Sequence, residues 1–301
     1  MEPSADDIVR TAAILDQRDP LDICNRAHEL LSLTMQSQRP ADFFEAAKGL
    51  LLGAIFKPIA TRDRISLWRL VRLPLEEPCD NVSRLDYPGA ERITALGRLN
   101  DVGQQILYAA HDLPLVLLES RIEPGASFGV LEYQLREGEE FVTPHLGLTH
   151  LDYKEPPFLL GREGLVIIKQ QFQLTASGAA NLDLIHTYVC RFITEIDPLI
   201  YPITIALAKV VLDEVFPNAD ALLYPSIFRK NSLNVGIKPE AADRKLIRAR
   251  AWRAIVTTPA GEFQHIACSS SIDERGAITW SEPSECNLLP GMPLRRAAKP
   301  P

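Results

Sequence analysis

The 301-residue chain contains no apolar run of about 18 residues, the length a membrane-crossing helix needs. Its opening, MEPSADDIVR, is acidic and lacks the basic and then apolar regions of a signal peptide, so a cytoplasmic protein is expected. A basic surplus is missing as well: the net charge is −7 at pH 7, which argues against a general nucleic-acid surface. The five cysteines are scattered with no CxxC pair, the usage expected of reduced thiols that pack in a core. Among the six histidines the closest pair, His145 and His150 in TPHLGLTHLDY, has poor ligand spacing, and no metal site is expected. Neither GxxxxGK[ST] nor GxGxxG occurs, which excludes a P-loop and the usual Rossmann fingerprint.

One catalytic motif is present in form only. GASFG, residues 125–129, matches the G-x-S-x-G of a nucleophile elbow, which requires a strand before the serine and a helix after it. Here a helical stretch precedes it and the strand-like VLEYQL follows, so Ser127 reads as a turn serine between elements.

Residues 1–60 read as helical: DPLDICNRAHELLSLTMQ and PADFFEAAKGLLLGAIF carry apolar residues at helical spacing, with Asp19 and Asp42 near the N-termini. The period then changes, and ISLWRLVRL alternates as a strand does. QQILYAA reads as a short buried strand. Asp112 and Pro114 open a helix that runs to about Arg121 and places Glu119 in its last turn. FGVLEYQL, GLVIIKQQF and HTYVCRFIT are assigned to strands, the last ambiguously, and YPITIALAKVVLDEVF to a helix. ALLYPSI and SLNVGI read as strands around Pro225, and two strands joined by a PAGE turn follow. The tail PLRRAAKPP is expected to be disordered.

Arg98, Tyr108 and Glu119 crowd one apolar stretch, GRLNDVGQQILYAAHDLPLVLLES. They can be read as a solvated loop residue, a core aromatic and an exposed helix end. Against that, LPLVLLES is so apolar that its glutamate is expected to be partly buried, and buried carboxylates need a partner or a task.

From Leu67 to about Pro239 the chain resembles the RES domain, named for an arginine, a glutamate and a serine, whose members include toxins of bacterial toxin–antitoxin pairs. The resemblance rests on Trp68-Arg69, on Gly97-Arg98-Leu99-Asn100 with leucine where the family favours an aromatic, and on Leu107-Tyr108-Ala109-Ala110. Asp112 and Glu119, Tyr201-Pro202-Ile203-Thr204 and Tyr224-Pro225-Ser226 continue it in order. It implies a division into an N-terminal helical extension (1–60), a RES domain (61–240, with insertions within about 125–195) and C-terminal strands and tail (241–301).

The fold so implied is α+β, an ADP-ribosyltransferase-like split β-core, mostly antiparallel, with surrounding helices. The implied activity is cleavage of the nicotinamide–ribose bond of NAD with phosphate as acceptor, a toxin-like NAD phosphorylase. An ADP-ribosyltransferase, an NAD glycohydrolase and an inactive RES-like binding module remain open. On this reading Glu119, Arg98 and Tyr108 are catalytic, and Arg69, Tyr108, Ser226 and Thr204 bind NAD. The carboxylate stabilises an oxocarbenium-like ribose. The arginines suit pyrophosphate or phosphate, and the tyrosine stacks on nicotinamide. A cognate antitoxin is a partner the family implies. The first 60 residues are expected to stabilise the domain or form a homodimer surface, so that an antitoxin is not strictly required.

Overall fold

The computed structural model describes residues 5–36, 39–56, 58–62, 65–147, 152–153, 160–229, 231–258 and 262–281. His150, Cys286, most of the PAGE turn and the PLRRAAKPP tail lie outside them. The first helices are α1 (Ala5–Gln17), α2 (Pro20–Gln36) and α3 (Pro40–Leu51), followed by strands β1 (Ile59–Thr61), β2 (Ser66–Arg72) and β3 (Leu107–Ala110). Helix α4 (Leu113–Ser120) leads to strands β4 (Ser127–Leu135), β5 (Phe141–Thr143), β6 (Asp152–Tyr153) and β7 (Leu160–Gly161). Then come α5 (Arg162–Gln171), α6 (Ala176–Ile193), α7 (Tyr201–Lys209), β8 (Ala221–Pro225) and β9 (Leu233–Ile237). Helix α8 (Pro239–Lys245) precedes the closing strands β10 (Leu246–Val256), β11 (Phe263–Ile272) and β12 (Ile278–Ser281).

Helix and sheet are mixed, which is the α+β class. Compactness divides the chain into two units, each discontinuous in sequence, and so differently from the contiguous division by motif. One comprises Met1–Ala60, Ala90–Gln104 and Val142–Gly236; the other comprises Thr61–Gly89, Gln105–Phe141 and Ile237–Pro301.

The first unit is mainly helical. Helix α2 buries Ile23, Ala27 and Leu30, spaced four and three apart, and packs on α3 and α6. Helix α1 packs on α6, and α3 packs on α7. Polar groups close the helix ends. The Arg18 guanidinium donates to the carbonyls of Gly49 (2.6 Å), Leu50 (2.9 Å) and Leu52 (2.7 Å), placing a cation at the C-terminus of α3. Asn181 Nδ2 donates to the carbonyls of Leu15 and Arg18, both at 2.8 Å, and so ties the end of α1 to α6. The opening helices are thus built into this unit.

Two segments assigned to strands are helices. GLVIIKQQF lies largely in α5, where Leu165 and Ile168, three apart, are buried while Val166 is half exposed; a strand would bury Val166 and Ile168 together. HTYVCRFIT lies in α6, which buries Ile185, Val189 and Phe192 and is capped by Thr175, whose hydroxyl accepts from Gly178 N at 3.2 Å. Both are runs of β-branched and aromatic residues, and the helical spacing of the buried positions overrides their β preference.

The second unit is built on an antiparallel sheet in the order β12-β11-β10-β4-β2-β3. Leu70 pairs with Val130, and Val130 with Trp252, across three neighbouring strands. On this face Trp68 and Trp252 meet at 5.6 Å between ring centroids, covered by Leu113, Leu115 and Val116 of α4. No helix among the described residues is long and apolar enough to cross a membrane. Cys24, Cys79 and Cys190 are not disulfide-bonded. Cys268 is disulfide-bonded, which departs from the expectation of reduced cysteines throughout.

His186 of the first unit is fully buried, with Nε2 3.1 Å from the carbonyl of Ile55 and its ring edge-on to Phe56. Burial pushes its pKa down to about 4 from the ordinary 6.5; His111 in the second unit is pushed down in the same way, to about 4. Between these values the unfolded chain holds a proton that the folded ring does not, so stability falls as the pH is lowered through 6.5. For His186 the loss at pH 5 is about 2 kcal/mol. Urea denaturation at pH 7 and pH 5 should show the wild type losing this much more than His186→Gln. Equal losses would remove His186 as the source.

Candidate functional site

Strand alternation puts Arg69 on the face of β2 opposite the Trp68–Trp252 core. Leu67, on the same face, pairs with Tyr133 of β4, and Arg69 pairs with Leu131. The guanidinium donates from Nη1 to the carbonyl of Tyr108 at 3.2 Å, while Nε is shielded from solvent and has no hydrogen-bond partner among the described residues. Burial lowers the pKa of Arg69; Tyr133, Asp86 and Tyr108 oppose that shift.

Asp86 is the carboxylate among those neighbours, and its oxygens are engaged elsewhere. Oδ1 accepts from Tyr133 Oη (2.7 Å) and Tyr87 N (2.8 Å), and Oδ2 accepts from Arg248 Nε (2.8 Å). Arg248 also reaches Asp243 at 2.7 Å, and Tyr87 Oη donates to the other Asp243 oxygen at 2.8 Å. The carboxylates hold Arg248 as a cation and raise its pKa against the effect of burial, and burial with the nearby Asp86 charge pushes the Tyr133 hydroxyl well up. Arg69 therefore stands beside a closed network and outside it. No ion pair of Arg69 with a described carboxylate exists.

Glu119 and Tyr108 belong to the same unit. Tyr108 shares with Ala110, two residues on, the face of β3 that α4 covers. Glu119 is half-buried in the last turn of α4, three and four residues beyond the buried Val116 and Leu115. The helix ends one residue before the expected Arg121, which takes the left-handed conformation (φ 46°) as C-cap. Asp112 occupies the N-cap position and Pro114 the first turn, as the sequence predicts.

The remaining residues gather in the first unit. Arg98 sits in a tight turn closed by Gly97 N donating to Asn100 O at 2.9 Å. Thr204, buried on α7, donates from Oγ1 to the carbonyl of Arg98 at 2.5 Å, with the carbonyl of Tyr201 as a second acceptor at 3.1 Å. The Arg98 guanidinium carbon lies 5.9 Å from the centroid of the Tyr224 ring, and Nη1 is buried with no hydrogen-bond partner among the described residues. Ser226, one residue beyond β8, accepts at Oγ from Phe228 N (3.1 Å) and Arg229 N (3.2 Å), and so shapes the turn toward β9.

The structure thus joins Arg69 to the backbone carbonyl of Tyr108 and Thr204 to the backbone carbonyl of Arg98, and it sets Ser226 in the turn that follows Tyr224. Tyr224 as the face for Arg98, Asp86 and Tyr133 beside Arg69, and Thr204 as holder of a turn were missed in the sequence. Tyr224 was in view as part of Tyr-Pro-Ser. The others are separated from their partners by tens of residues and carry no local signal. Ser127 is the first residue of β4, its hydroxyl donating to Leu73 O at 2.5 Å, which rules out an elbow serine. Among the described residues no cluster of histidine, cysteine or acidic groups could hold a metal ion. No protein-family model matches the chain, and no curated protein matches it.

A shielded guanidinium donor without an acceptor destabilises its surroundings, and Arg69 Nε is such a donor. Arg69→Met should therefore leave thermal stability unchanged or raise it. Millimolar pyrophosphate should raise the midpoint of the wild type and not of the variant, read by thermal unfolding. A variant less stable by several kcal/mol would show that the charge is structural.

Proposed function

We propose that this chain is a RES-type, NAD-consuming enzyme with an ADP-ribosyltransferase-like fold, which transfers ADP-ribose from nicotinamide to phosphate. The observation that carries the reading is Arg69: a half-buried guanidinium on a sheet face, bonded to one carbonyl, with Nε shielded and unmet and the nearby carboxylate already taken by Arg248. An arginine kept in that state is preorganised for an anion that arrives from outside the chain. Arg98 likewise keeps Nη1 unmet, over the Tyr224 ring.

The roles follow from chemistry. The bond between ribose C1′ and the nicotinamide nitrogen breaks, and nicotinamide leaves as a neutral ring with the bonding electron pair. A phosphate oxygen then bonds to C1′, giving a phosphorylated ADP-ribose. The half-buried Glu119 carboxylate stabilises the positive charge that develops on the ribose. Arg69 and Arg98 are assigned to pyrophosphate and acceptor phosphate, and Tyr108 to the nicotinamide face. Thr204 acts through Arg98 as a positioning residue. Leu99, where the resemblance leads one to expect an aromatic, is only 2% exposed, so the substitution alters packing and not a ligand-facing surface. That favours an enzyme over an inactive module.

Incubation of the protein with NAD, with and without phosphate, tests the proposal by nicotinamide release. Release that accelerates with phosphate is expected. Phosphate-independent release identifies a glycohydrolase, and label transferred to protein identifies a transferase. Glu119→Gln should keep the fold and NAD binding while lowering turnover about 10²–10³-fold, whereas Arg98→Ala should act mainly by raising KM. Full turnover in folded Glu119→Gln removes the glutamate from the mechanism, and no release under any condition defeats the enzyme reading.

A further inference from the structure

A second site lies wholly within the first unit and makes no use of the groups assigned to NAD. Between the start of α3, the segment around residue 100 and α7 there is a pocket of about 340 Å³. Its walls are apolar: Phe43 and Phe44 from α3, Leu96, Leu199, and Ile205 from α7. The α7 contribution is a helical stripe, Pro202, Ile205, Ala206 and Lys209, at spacings of three, one and three. Thr204, which holds the Arg98 turn, is off that stripe and does not line the pocket.

Two charged groups line this pocket, and they are not equally occupied. Asp101 Oδ1 accepts from Val102 N at 2.8 Å, so the carboxylate serves its own turn. Lys209 Nζ lies 3.9 Å from Asp101 Oδ2, beyond hydrogen-bond distance, and makes no hydrogen bond to any described residue. The donor that this apolar pocket leaves without a hydrogen bond is therefore a cation, held only by a long ion pair with Asp101. Its volume is at the lower end of the ~300–1,000 Å³ typical of small-molecule sites, which limits the occupant to a short one.

The geometry points to a binding site for a small amphipathic carboxylate, its aliphatic or aromatic body between Phe43, Phe44 and Ile205 and its carboxylate on Lys209 Nζ. Charge complementarity selects this class: the carboxylate gives Lys209 a charge-assisted hydrogen bond that its long ion pair with Asp101 lacks, and the apolar walls lose water. A wholly apolar occupant leaves the ammonium without a hydrogen bond.

Decanoate is the probe, titrated into the full-length protein by calorimetry below its aggregation concentration, with decanol as the uncharged control. Saturable one-to-one binding of decanoate is expected, tighter than decanol by at least about tenfold. Lys209→Met should abolish that preference and leave decanol binding unchanged. Leu199→Asp, at an exposed position of the wall, should weaken decanoate more than decanol. Absence of saturable decanoate binding overturns the proposal, as does a preference for decanoate that survives Lys209→Met. A concentration-dependent dimer in sedimentation that Leu199→Asp dissolves would assign the pocket to a second copy of the chain and overturn it equally.

Discussion

A guanidinium removed from water needs acceptors for its donors, or its burial costs several kcal/mol. The chain contains both outcomes. Arg18 spends its Nη groups on the carbonyls at the end of α3 and its Nε on Asp22, so burying it fastens the first helices together. Arg69 receives one carbonyl, and its neighbouring carboxylate is already shared by Tyr133, Tyr87 and Arg248. The difference is chemical. Arg18 is a structural cross-link, whereas Arg69 keeps a shielded donor that no described residue meets.

What fixes Arg69 is the packing on the other side of its strand. Trp68 and Leu70 are locked by Trp252, Val130 and α4, and alternation then leaves Arg69 no choice of face. The β2–β4 register sets Tyr133 opposite Leu67, two positions from Arg69, which places the Asp86 network beside the guanidinium. In the first unit the same task falls to one hydroxyl. Thr204 binds the Arg98 carbonyl, and the side chain leaves that turn toward the Tyr224 ring. Rigid elements thus present each arginine within its own unit.

The elements that bear the candidate residues were legible because each carries a local signal. ISLWRLVRL has a two-residue period and became β2; Asp112 and Pro114 mark the start of α4; Pro225 ends β8. Glu119 was expected to be partly buried from its apolar helix, and it is half-buried. Helices α5 and α6 were hidden because VII and HTYVCRFI favour strands locally, and only tertiary packing reveals the helical spacing of Leu165 with Ile168 and of Ile185 with Val189. The Asp86–Tyr133–Arg248 network joins residues 47 and 162 positions apart, a separation no spacing rule reaches. The bond from Thr204 to Arg98 spans 106 positions and is out of reach of any spacing rule for the same reason.

The central claim is that the unmet donors of Arg69 and Arg98 exist for the phosphates of a nucleotide. A crystal structure of the protein with ADP-ribose tests it most directly, because it asks where the anion goes without relying on turnover. The account predicts a phosphate oxygen within hydrogen-bond distance of Arg69 Nε or Arg98 Nη1. An ordered ADP-ribose seated elsewhere, with both guanidinium groups still lacking an anion, would contradict it.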